Sequence, residues 1–464
     1  MKRIITFIFL SLLLTIMANA QTHLWGTTSV DGGDNNGTIF MTDINGNNLH
    51  SVYSLIGTTG SFPYGGLTLA SNNKFYGVTL YGGCNNGGVC YCYDPITGIF
   101  TDIHDFACHK VDGCVPKCGP IAASDGKLYG TCSSDSINHS GVIYSIDPAT
   151  NIYTVVFNFT DSLGGESWGS LIQLSDGKLY GTNGSIFSFD PATHTYNRLY
   201  TFDSLTGNSL WYSGLLHAND GKLYGATTWG GTYNAGVIFS FDVATNTYTD
   251  LHDFNDTLGQ LPYGGLIQAS NGLLYGMTNE GGSLAHGLLF SYDISTNTFT
   301  DLVNFIGNNG QLPSRDLMQA SNGLIFGTTY WGGTYGYGVF FSFNPVTNIQ
   351  TVLYNFESGI NGTSPECSLI EVPDSLTQGI NTITNREDIK VYPNPATSTI
   401  TIRNFGLGMK SELEITDVLD NTTYHQTLNN INKNIDVSGF SNGIYFYQLT
   451  NNKETYRGKF VVEK

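Results

Sequence analysis

Aromatic residues recur at fixed positions along this chain, and their chemistry could define a site. Tyrosine and tryptophan combine a flat apolar ring with a polar edge, which suits stacking on sugar rings or gripping a protein surface. The alternative is that these rings pack neighbouring loops against each other. One set occupies a glycine-rich loop and the second lies just before a short strand: Tyr81, Trp229 and Trp331 in the first, and Tyr64, Trp168, Tyr212 and Tyr263 in the second.

Charged residues stand where other repeats carry an aromatic residue or glycine. Lys117, Ser314 and Glu366 interrupt the second aromatic set. Packing alone gives no reason for such exchanges, so we interpret the charged residues as candidate polar contacts to a ligand: Lys117, Glu280, Arg315 and Glu366. Glycoside hydrolysis needs two carboxyl groups roughly 5 to 10 Å apart, and Glu280 and Glu366 are the candidate pair. Asp316 and Lys117 are further candidates for a catalytic acid or base.

Other site chemistries find little support. No motif of a serine hydrolase, a zinc protease or a phosphate-binding loop occurs. Seven of the eight cysteines lie between Cys84 and Cys132, which in an exported chain favours local disulfides. The alternatives are a metal site at Cys92, Cys108, His109 and Cys114 and a Ca²⁺ site at Asp31, Asp34 and Asn36, but neither has the ligand spacing of a known metal motif. We therefore predict no metal and no cofactor.

The elements that position these residues repeat along the chain. An aromatic residue followed by glycine recurs at intervals of 51, 53, 51, 44, 51 and 51 residues. Each unit predicts four antiparallel strands, exemplified by Gly264–Ser270, Leu273–Thr278, Val237–Asp242 and the segment TYTDLHDF, separated by Asn-Gly and Asp-Pro type turns. Such a period is typical of a β-propeller blade. The seven anchors are Trp25, Tyr76, Tyr129, Tyr180, Tyr224, Tyr275 and Phe326.

Two strands are left without a partner in this scheme. Leu24–Thr28 has no first strand before it, and Ser368–Val372 has no second strand after it. If they pair with each other, they complete one composite blade and leave no open sheet edge. We therefore predict an all-β fold with a seven-bladed β-propeller closed by its terminal strands.

The N-terminus and the overall charge indicate where the protein acts. Residues 1–20 combine Lys2 and Arg3, an apolar run and the small-residue motif Ala18-Asn19-Ala20, which predicts a secretory signal peptide. The net charge is −18, and the basic residues are scattered singly. Nucleic acid is therefore excluded as a partner, and no other segment is apolar and long enough to span a membrane.

Residues 21–373 carry the repeat, whose units are written LYGTTxxGGxxxxGVIFSFDPATNTYT in consensus. They resemble the GloVer (Gloeo/Verruco) repeat family of extracellular propellers, and more distantly kelch repeats. The resemblance is strong in the units at Tyr224, Tyr275 and Phe326 and weaker at Tyr180, where the glycine-rich loop is deleted. It implies the fold but no activity, because propellers serve both enzymes and binding modules.

Beyond the repeat, residues 374–388 form a polar linker and residues 389–464 a second domain of short alternating strands, predicted to be a small Ig-like β-sandwich. These residues resemble the type A C-terminal sorting domain of the type IX secretion system. The resemblance implies export to the cell surface, recognition by the secretion machinery, and removal of this domain by a sorting protease. It rests on Pro393, Asn394, Pro395, Asp417, Gly443, Tyr445 and Gly458 within their motifs, whereas Asp420 and Asn421 replace a usual glycine turn.

Together these features predict a secreted or cell-surface propeller that binds polysaccharide or protein through its aromatic loops without catalysis. The alternative is an extracellular carbohydrate-active hydrolase or lyase. A purely structural or adhesive surface protein is the third interpretation.

Overall fold

The computed structural model of the protein divides into two compact units, residues 1–377 and 378–464. The described residues form strands, turns and loops and contain no helix, so the all-β prediction is confirmed. None of them therefore belongs to a helix that could cross a membrane. The structure describes residues 22–32, 35–107, 112–133, 141–160, 167, 169–208, 214–313, 315–359, 361–373, 389–392, 396–404, 411–417, 421–428, 432–450 and 455–464.

The described part of the first unit contains seven four-stranded sheets whose neighbouring strands are antiparallel. Strands β1–β15 are β1 (Thr22–Thr28), β2 (Thr38–Asp43), β3 (His50–Ser54), β4 (Thr68–Leu69), β5 (Phe75–Val78), β6 (Val89–Tyr93), β7 (Phe100–Asp105), β8 (Ile121–Ala122), β9 (Leu128–Cys132), β10 (Val142–Asp147), β11 (Ile152–Asn158), β12 (Ile172–Gln173), β13 (Leu179–Thr182), β14 (Ser185–Asp190) and β15 (Thr195–Thr201).

The first unit continues to β28, which returns to the first strand. The remaining strands are β16 (Leu216–His217), β17 (Leu223–Thr227), β18 (Val237–Asp242), β19 (Thr247–Asp253), β20 (Ile267–Gln268), β21 (Leu274–Thr278), β22 (Leu288–Asp293), β23 (Thr298–Asn304), β24 (Met318–Gln319), β25 (Ile325–Thr329), β26 (Val339–Asn344), β27 (Ile349–Asn355) and β28 (Ile370–Pro373). Sheet 1 has the order β28-β1-β2-β3, and sheets 2 to 7 are β4–β7, β8–β11, β12–β15, β16–β19, β20–β23 and β24–β27.

Sheet 1 joins the two ends of the repeat region. Trp25 of β1 lies opposite Met41 of β2 on one side and Ile370 of β28 on the other. The pairing predicted for these two strands is therefore present. The first strand of each other sheet is shorter than the sequence predicts, since only Ile267–Gln268 of the segment Gly264–Ser270 pairs with β21.

The turns within each sheet form as their residue types predict. Asp242 accepts a hydrogen bond from the backbone N–H of Ala244 (2.9 Å), and Asn344 accepts one from Val346 (2.9 Å). At the Asn-Gly turn, the Gly272 N–H donates to the Ala269 carbonyl (2.8 Å), with Gly272 at φ +85°. The Asp242 and Asn344 turns connect strands 3 and 4 of their sheets, and the Asn-Gly turn connects strands 1 and 2. These hydrogen bonds restrict the backbone of each turn.

The core consists of the contacts between successive sheets. Third strands such as β18 are buried along almost their whole length, because both faces of the sheet meet a neighbour. One cluster joins sheets 6 and 7 through Leu289 and Phe341, and another joins sheets 7 and 1 through Phe340 and Leu49. Each sheet therefore buries its faces only with help from its neighbours.

Aromatic rings stack in parallel between the outer strands of successive sheets. The ring centres of His104 and Tyr153 lie 3.9 Å apart, with an interplanar angle of 1°. Those of His252 and Phe299 lie 4.1 Å apart, with an angle of 4°. The two histidines occupy the same position in their repeats, as the sequence indicates. This contact explains their recurrence as packing residues.

One described cysteine fits the disulfide prediction and six do not. Cys114 is disulfide-bonded, and its partner lies outside the described residues. The others are free, and most of them fill the core between sheets 2 and 3 or the centre of the first unit, where burial rather than bonding explains them. The free cysteines are Cys84, Cys90, Cys92, Cys118, Cys132 and Cys367.

The described residues of the second unit form two sheets, with the orders β29-β30-β33 and β32-β31-β34-β35. Both contribute to a single core, for example through Ile400 and Phe460. Strand β32 was not predicted; it is an edge strand with several exposed side chains. The strands are β29 (Ile389–Tyr392), β30 (Thr399–Asn404), β31 (Ser411–Thr416), β32 (Thr422–Leu428), β33 (Asn432–Asp436), β34 (Gly443–Thr450) and β35 (Thr455–Val462).

Candidate functional site

A strained X-Pro pair places the second aromatic set before the first strand of a sheet. The residue before each proline has a left-handed backbone, with φ of +54° at Phe62, +56° at Leu261 and +52° at Leu312. This conformation is uncommon for a bulky residue and persists only where its surroundings enforce it. The residue after the proline belongs to the second set, as Tyr64 and Tyr263 show.

Two hydrogen bonds hold each strained residue. The Leu261 N–H donates to the carbonyl of Ala235 in sheet 5 (3.0 Å), and its carbonyl accepts from Asn279 in sheet 6 (3.0 Å). The following Pro262 leaves no room for a side chain at Gly236, where an added Cβ would lie 2.8 Å from the proline ring. Each X-Pro pair therefore links two sheets and fixes the direction in which the next residue leaves.

The segments before the first strands of neighbouring sheets approach each other closely. A Cβ added at Gly65 would lie 2.2 Å from the Gly119 nitrogen, and one at Gly264 would lie 2.5 Å from the Arg315 carbonyl oxygen. Only glycine permits this approach of two backbones. Arg315 occupies the same repeat position as these glycines, so its side chain extends away from a crowded backbone.

Tyr64, Arg315 and Glu366 come together from three successive sheets, sheets 2, 7 and 1. The Arg315 guanidinium carbon lies 4.1 Å from the centre of the Tyr64 ring. Arg315 is 4% exposed and Glu366 is 6% exposed. Burial raises the pKa of the Glu366 carboxyl, and the Arg315 charge and hydrogen bonds from Tyr64 and Ser29 oppose this increase. We call Tyr64, Arg315 and Glu366 the central cluster.

Asp316 and Ser368 extend the polar contacts beside this cluster. The Ser368 hydroxyl donates to Asp316 Oδ2 (2.8 Å), and the Gly265 N–H donates to Asp316 Oδ1. Sequence reasoning missed Ser368, because a serine that aligns with Gly66 of another repeat does not by itself indicate a functional residue. Asp316 thus binds two neighbouring sheets together rather than presenting a lone carboxylate.

The two central cysteines also lie here. Cys118 and Cys367 are buried, and the Thr27 N–H donates to Cys367 Sγ (3.0 Å). Burial raises the pKa of the Cys367 thiol to about 11. A thiol with a raised pKa is a poor nucleophile at neutral pH, so burial makes this residue less reactive than a free cysteine.

The first aromatic set is positioned by a different device. Trp331 and Gln311 exchange two backbone hydrogen bonds (2.9 and 3.0 Å), which join the loop after strand 2 to the loop before strand 1. The Thr329 hydroxyl donates to the Trp331 carbonyl (2.8 Å) and accepts from the Val339 N–H (3.2 Å). The same pattern holds Tyr81, Trp229 and Glu280 through Thr79, Thr227 and Thr278.

This device fixes the backbone and leaves the side chain free to vary. Trp331 is 40% exposed and Tyr81 is 43% exposed, whereas Trp229 and Glu280 are half-buried. Four residues further on, Tyr233, Leu284 and Tyr335 occupy one repeat position in sheets 5, 6 and 7, and all three are more than half exposed. We call Trp229, Glu280, Trp331, Tyr233, Leu284 and Tyr335 the loop row.

An open depression of about 590 Å³ lies beside Trp331. Its lining consists of the indole, one amide side chain, one leucine and glycine backbone, with no charged residue. The lining residues are Gly307, Gln311, Leu312, Trp331, Gly332, Gly333 and Gly336.

The structure divides the predicted site residues into groups. Tyr64, Arg315 and Glu366 are brought together, while Glu280 lies on a glycine-rich loop in sheet 6, paired with Gln260. Lys117 and Tyr263 are half-buried before the first strands of sheets 3 and 6. Trp168, Tyr212 and Ser314 lie outside the described residues, as do Cys108, His109 and Asp34. Within the described part of the chain no group of ligands could hold a metal ion.

In the second unit, hydrogen bonds join Asp417 and Asn421, whereas Asp420 lies outside the described residues. The Asn421 N–H donates to Asp417 Oδ1 (2.9 Å). Tyr445 is buried, and its hydroxyl donates to the Ser441 carbonyl (3.0 Å). Gly443 and Gly458 lie in the paired strands β34 and β35, whereas Pro393, Asn394 and Pro395 lie outside the described residues.

Solved structures resemble this fold at low sequence identity. Candidate 6-phosphogluconolactonases from Bacteroides fragilis and Bacteroides uniformis align with TM-scores of 0.52 and 0.51 at 13% and 12% identity, over 77% and 76% of this chain and 99% of theirs. PorZ, a surface component of the type IX secretion system of Porphyromonas gingivalis, aligns at 12% identity with a TM-score of 0.43 over 93% of this chain. The chain spans 63% of the length of PorZ. No curated protein matches the sequence.

Family models account for nearly the whole chain. The secretion system C-terminal sorting domain matches residues 390–463, which indicates secretion to the cell surface or outer membrane by the type IX machinery. The Gloeobacter/Verrucomicrobia repeat matches residues 13–183 and 181–388. The protein therefore belongs to the Gloeobacter/Verrucomicrobia repeat family and carries a C-terminal type IX sorting domain.

Proposed function

We propose that this protein is an exported seven-bladed β-propeller that binds a polysaccharide or a protein through its loop row, without catalysis. The single observation that carries the proposal is the loop row itself. Its backbone is held by repeated hydrogen bonds, while its side chains differ between sheets and are largely exposed. Variable, exposed aromatic residues on a rigid scaffold are characteristic of binding surfaces.

The closed ring is supported by the order of contacts between sheets. From sheet 2 to sheet 7, each sheet shares a core with the next, and sheet 7 shares one with sheet 1 through Phe326 and Leu24. Trp25 of sheet 1 contacts Phe75 of sheet 2. Pairing of β1 with β28 joins the two ends of the ring within one blade. A ring of this kind would hold all of the loops between strands 2 and 3 on one face, with the hairpin turns on the other.

The route to the surface follows from the sorting domain. We propose that residues 1–20 are removed as a signal peptide, that the linker 374–388 separates propeller from sorting domain, and that residues 389–464 form an Ig-like sandwich that is cleaved off after export. The product would be retained at the outer membrane or released. Deleting residues 389–464 should leave the propeller inside the cell, which fractionation and immunoblotting would detect.

The binding proposal is tested with the full chain on immobilised polysaccharides and surface proteins. We expect retention of the natural protein and its loss in a variant with both Trp229→Ala and Trp331→Ala. Val346→Ala is the matched control, because Val346 is an exposed apolar residue on a hairpin turn. Equal retention of the double variant and the control would contradict binding through the loop row.

One observation favours the alternative, an extracellular carbohydrate-active hydrolase or lyase. Glu366 has a raised pKa and lies beside Arg315 and Tyr64, and an acid with a raised pKa is suited to proton donation. New reducing ends or unsaturated products in the same retention samples, lost in Glu366→Gln or Glu280→Gln, would establish catalysis and reject the non-catalytic function. We expect no such products, because the Glu366 carboxyl is almost fully buried.

A further inference from the structure

The Trp331 loop pairs an indole with an amide. Gln311 and Trp331 are fixed opposite each other by two backbone hydrogen bonds, and both contribute to the depression beside them. Asn208 and Trp229 form the same pairing in sheet 5. An aromatic face next to a carboxamide can stack on the apolar side of a sugar ring and hydrogen-bond its hydroxyl groups.

The charge of the site selects among sugars. None of the residues that line the depression is charged, and the whole chain carries a net charge of −18. A polymer of uronic acids or sulfated sugars would meet no cation there and would be repelled by the acidic protein. An uncharged sugar meets neither obstacle.

The backbone of the Trp331 loop is also ordered before any ligand binds. Gly332 has φ of +89°, and an added Cβ would lie 2.5 Å from the Gly307 carbonyl oxygen. The Gly333 N–H donates to that same Gly307 (2.8 Å). A surface whose backbone is already ordered loses little conformational entropy on binding.

Resting on the proposed binding function, we propose that the depression beside Trp331 is a subsite for one uncharged sugar ring of a neutral polysaccharide. The Trp331 indole stacks on the ring and the Gln311 amide bonds its hydroxyl groups. The exposed Tyr335 on the same loop contacts an adjoining sugar. Leu284 and Tyr233, at the equivalent position in sheets 6 and 5, continue the contact surface for a polymer rather than for a monosaccharide.

The test is affinity electrophoresis of the full chain in gels containing mannan, β-glucan or starch, with alginate as the anionic polysaccharide. We expect retardation by at least one neutral polysaccharide and none by alginate. Trp331→Ala should weaken binding at least ten-fold and Gln311→Ala about three-fold, while Trp331→Phe retains most of it. Val346→Ala is the control, since Val346 is an exposed apolar residue on a hairpin turn of the same sheet, and should bind within two-fold of the natural protein.

The outcomes separate this subsite from the general function. Equal retardation of Trp331→Ala and the natural protein would overturn the subsite and leave binding by the loop row intact. Retardation by alginate alone, or by no neutral polysaccharide while a purified surface protein binds, would also overturn the subsite. Cleavage of the polysaccharide would reject the non-catalytic function, but the subsite would stand if Trp331→Ala still lost affinity.

Discussion

The central cluster and the loop row both arise from exchanges at repeated positions, yet the structure gives them opposite environments. Arg315 and Glu366 replace small or aromatic residues where sheets 7, 1 and 2 meet, and both are almost fully buried. Trp331 and Glu280 occupy a loop position that is open to solvent or half-buried. An exchange in a crowded centre must be compensated by its neighbours, as Tyr64 and Ser29 compensate Glu366. An exchange on the loop row can instead be compensated by a ligand.

The largest expected effect is on the central cluster. Arg315→Ala should lower the free energy of unfolding by about 3–5 kcal/mol, because it leaves the Glu366 carboxylate buried without its cation. Urea unfolding followed by tryptophan fluorescence reports the first unit alone, since all five tryptophans precede residue 332.

Two further variants control this prediction. Arg198 is an exposed arginine, so Arg198→Ala should change the free energy of unfolding by less than about 0.5 kcal/mol. A double variant, Arg315→Met with Glu366→Gln, should be more stable than Arg315→Ala, because it removes both charges. If Arg315→Ala behaves like Arg198→Ala, the cluster does not stabilise the fold, and the contrast with the loop row fails.

Sequence reasoning located both regions but not their environments. The Thr-x-Trp-Gly-Gly pattern aligns Trp229 with Trp331 because a threonine hydroxyl and a glycine pair build the same loop each time. Nothing local distinguishes Arg315 from an exposed arginine, since its burial depends on the meeting of sheets 1, 2 and 7. The same limit explains why the sequence indicates disulfides for cysteines that are free in the structure. Cys90 and Cys132 become core residues only when sheets 2 and 3 pack together.

The second unit shows a related limit. Strand β32 has polar residues on both faces, and the alternating pattern that revealed the other strands is therefore missing. It pairs with β31 through the backbone, which includes the contact of Leu413 with Gln426. Edge strands with few apolar residues carry the weakest periodic signal.

A smaller effect is expected where the backbone supports the loop row. Thr329→Val should lower the free energy of unfolding by about 1–3 kcal/mol, because it leaves the buried Val339 N–H without its acceptor. The same change should weaken polysaccharide binding, since the Trp331 carbonyl loses one of its two donors and keeps only the Gln311 N–H. Thr300→Val, at an exposed position of β23, is the control for urea unfolding and affinity electrophoresis. Unchanged binding in Thr329→Val would show that the Trp331 loop is held without this threonine.

The smallest expected effect concerns a carboxylate outside both regions. Burial, and then the nearby Asp253 charge, raise the pKa of Asp250 to about 6, above its value in the unfolded chain. Protonation therefore favours the folded state, and stability is lost as the pH rises through about 6. Asp250→Asn removes this loss, so the variant should exceed the natural protein in stability at pH 8 and match it at pH 4.

The expected gain is below about 1 kcal/mol, because Asp250 is exposed and solvent screens its charge. Thermal unfolding at pH 4, 6 and 8 measures it. Asp301→Asn is the matched control, since Asp301 holds the equivalent register position in sheet 6 and Asn304 replaces the second carboxylate there. If Asp250→Asn raises stability equally at pH 4 and pH 8, removal of the carboxylate charge is not the cause of the increase. A gain confined to high pH would show that the charged form of Asp250 destabilises this outer strand, in the same direction as burial acts on Glu366 in the central cluster.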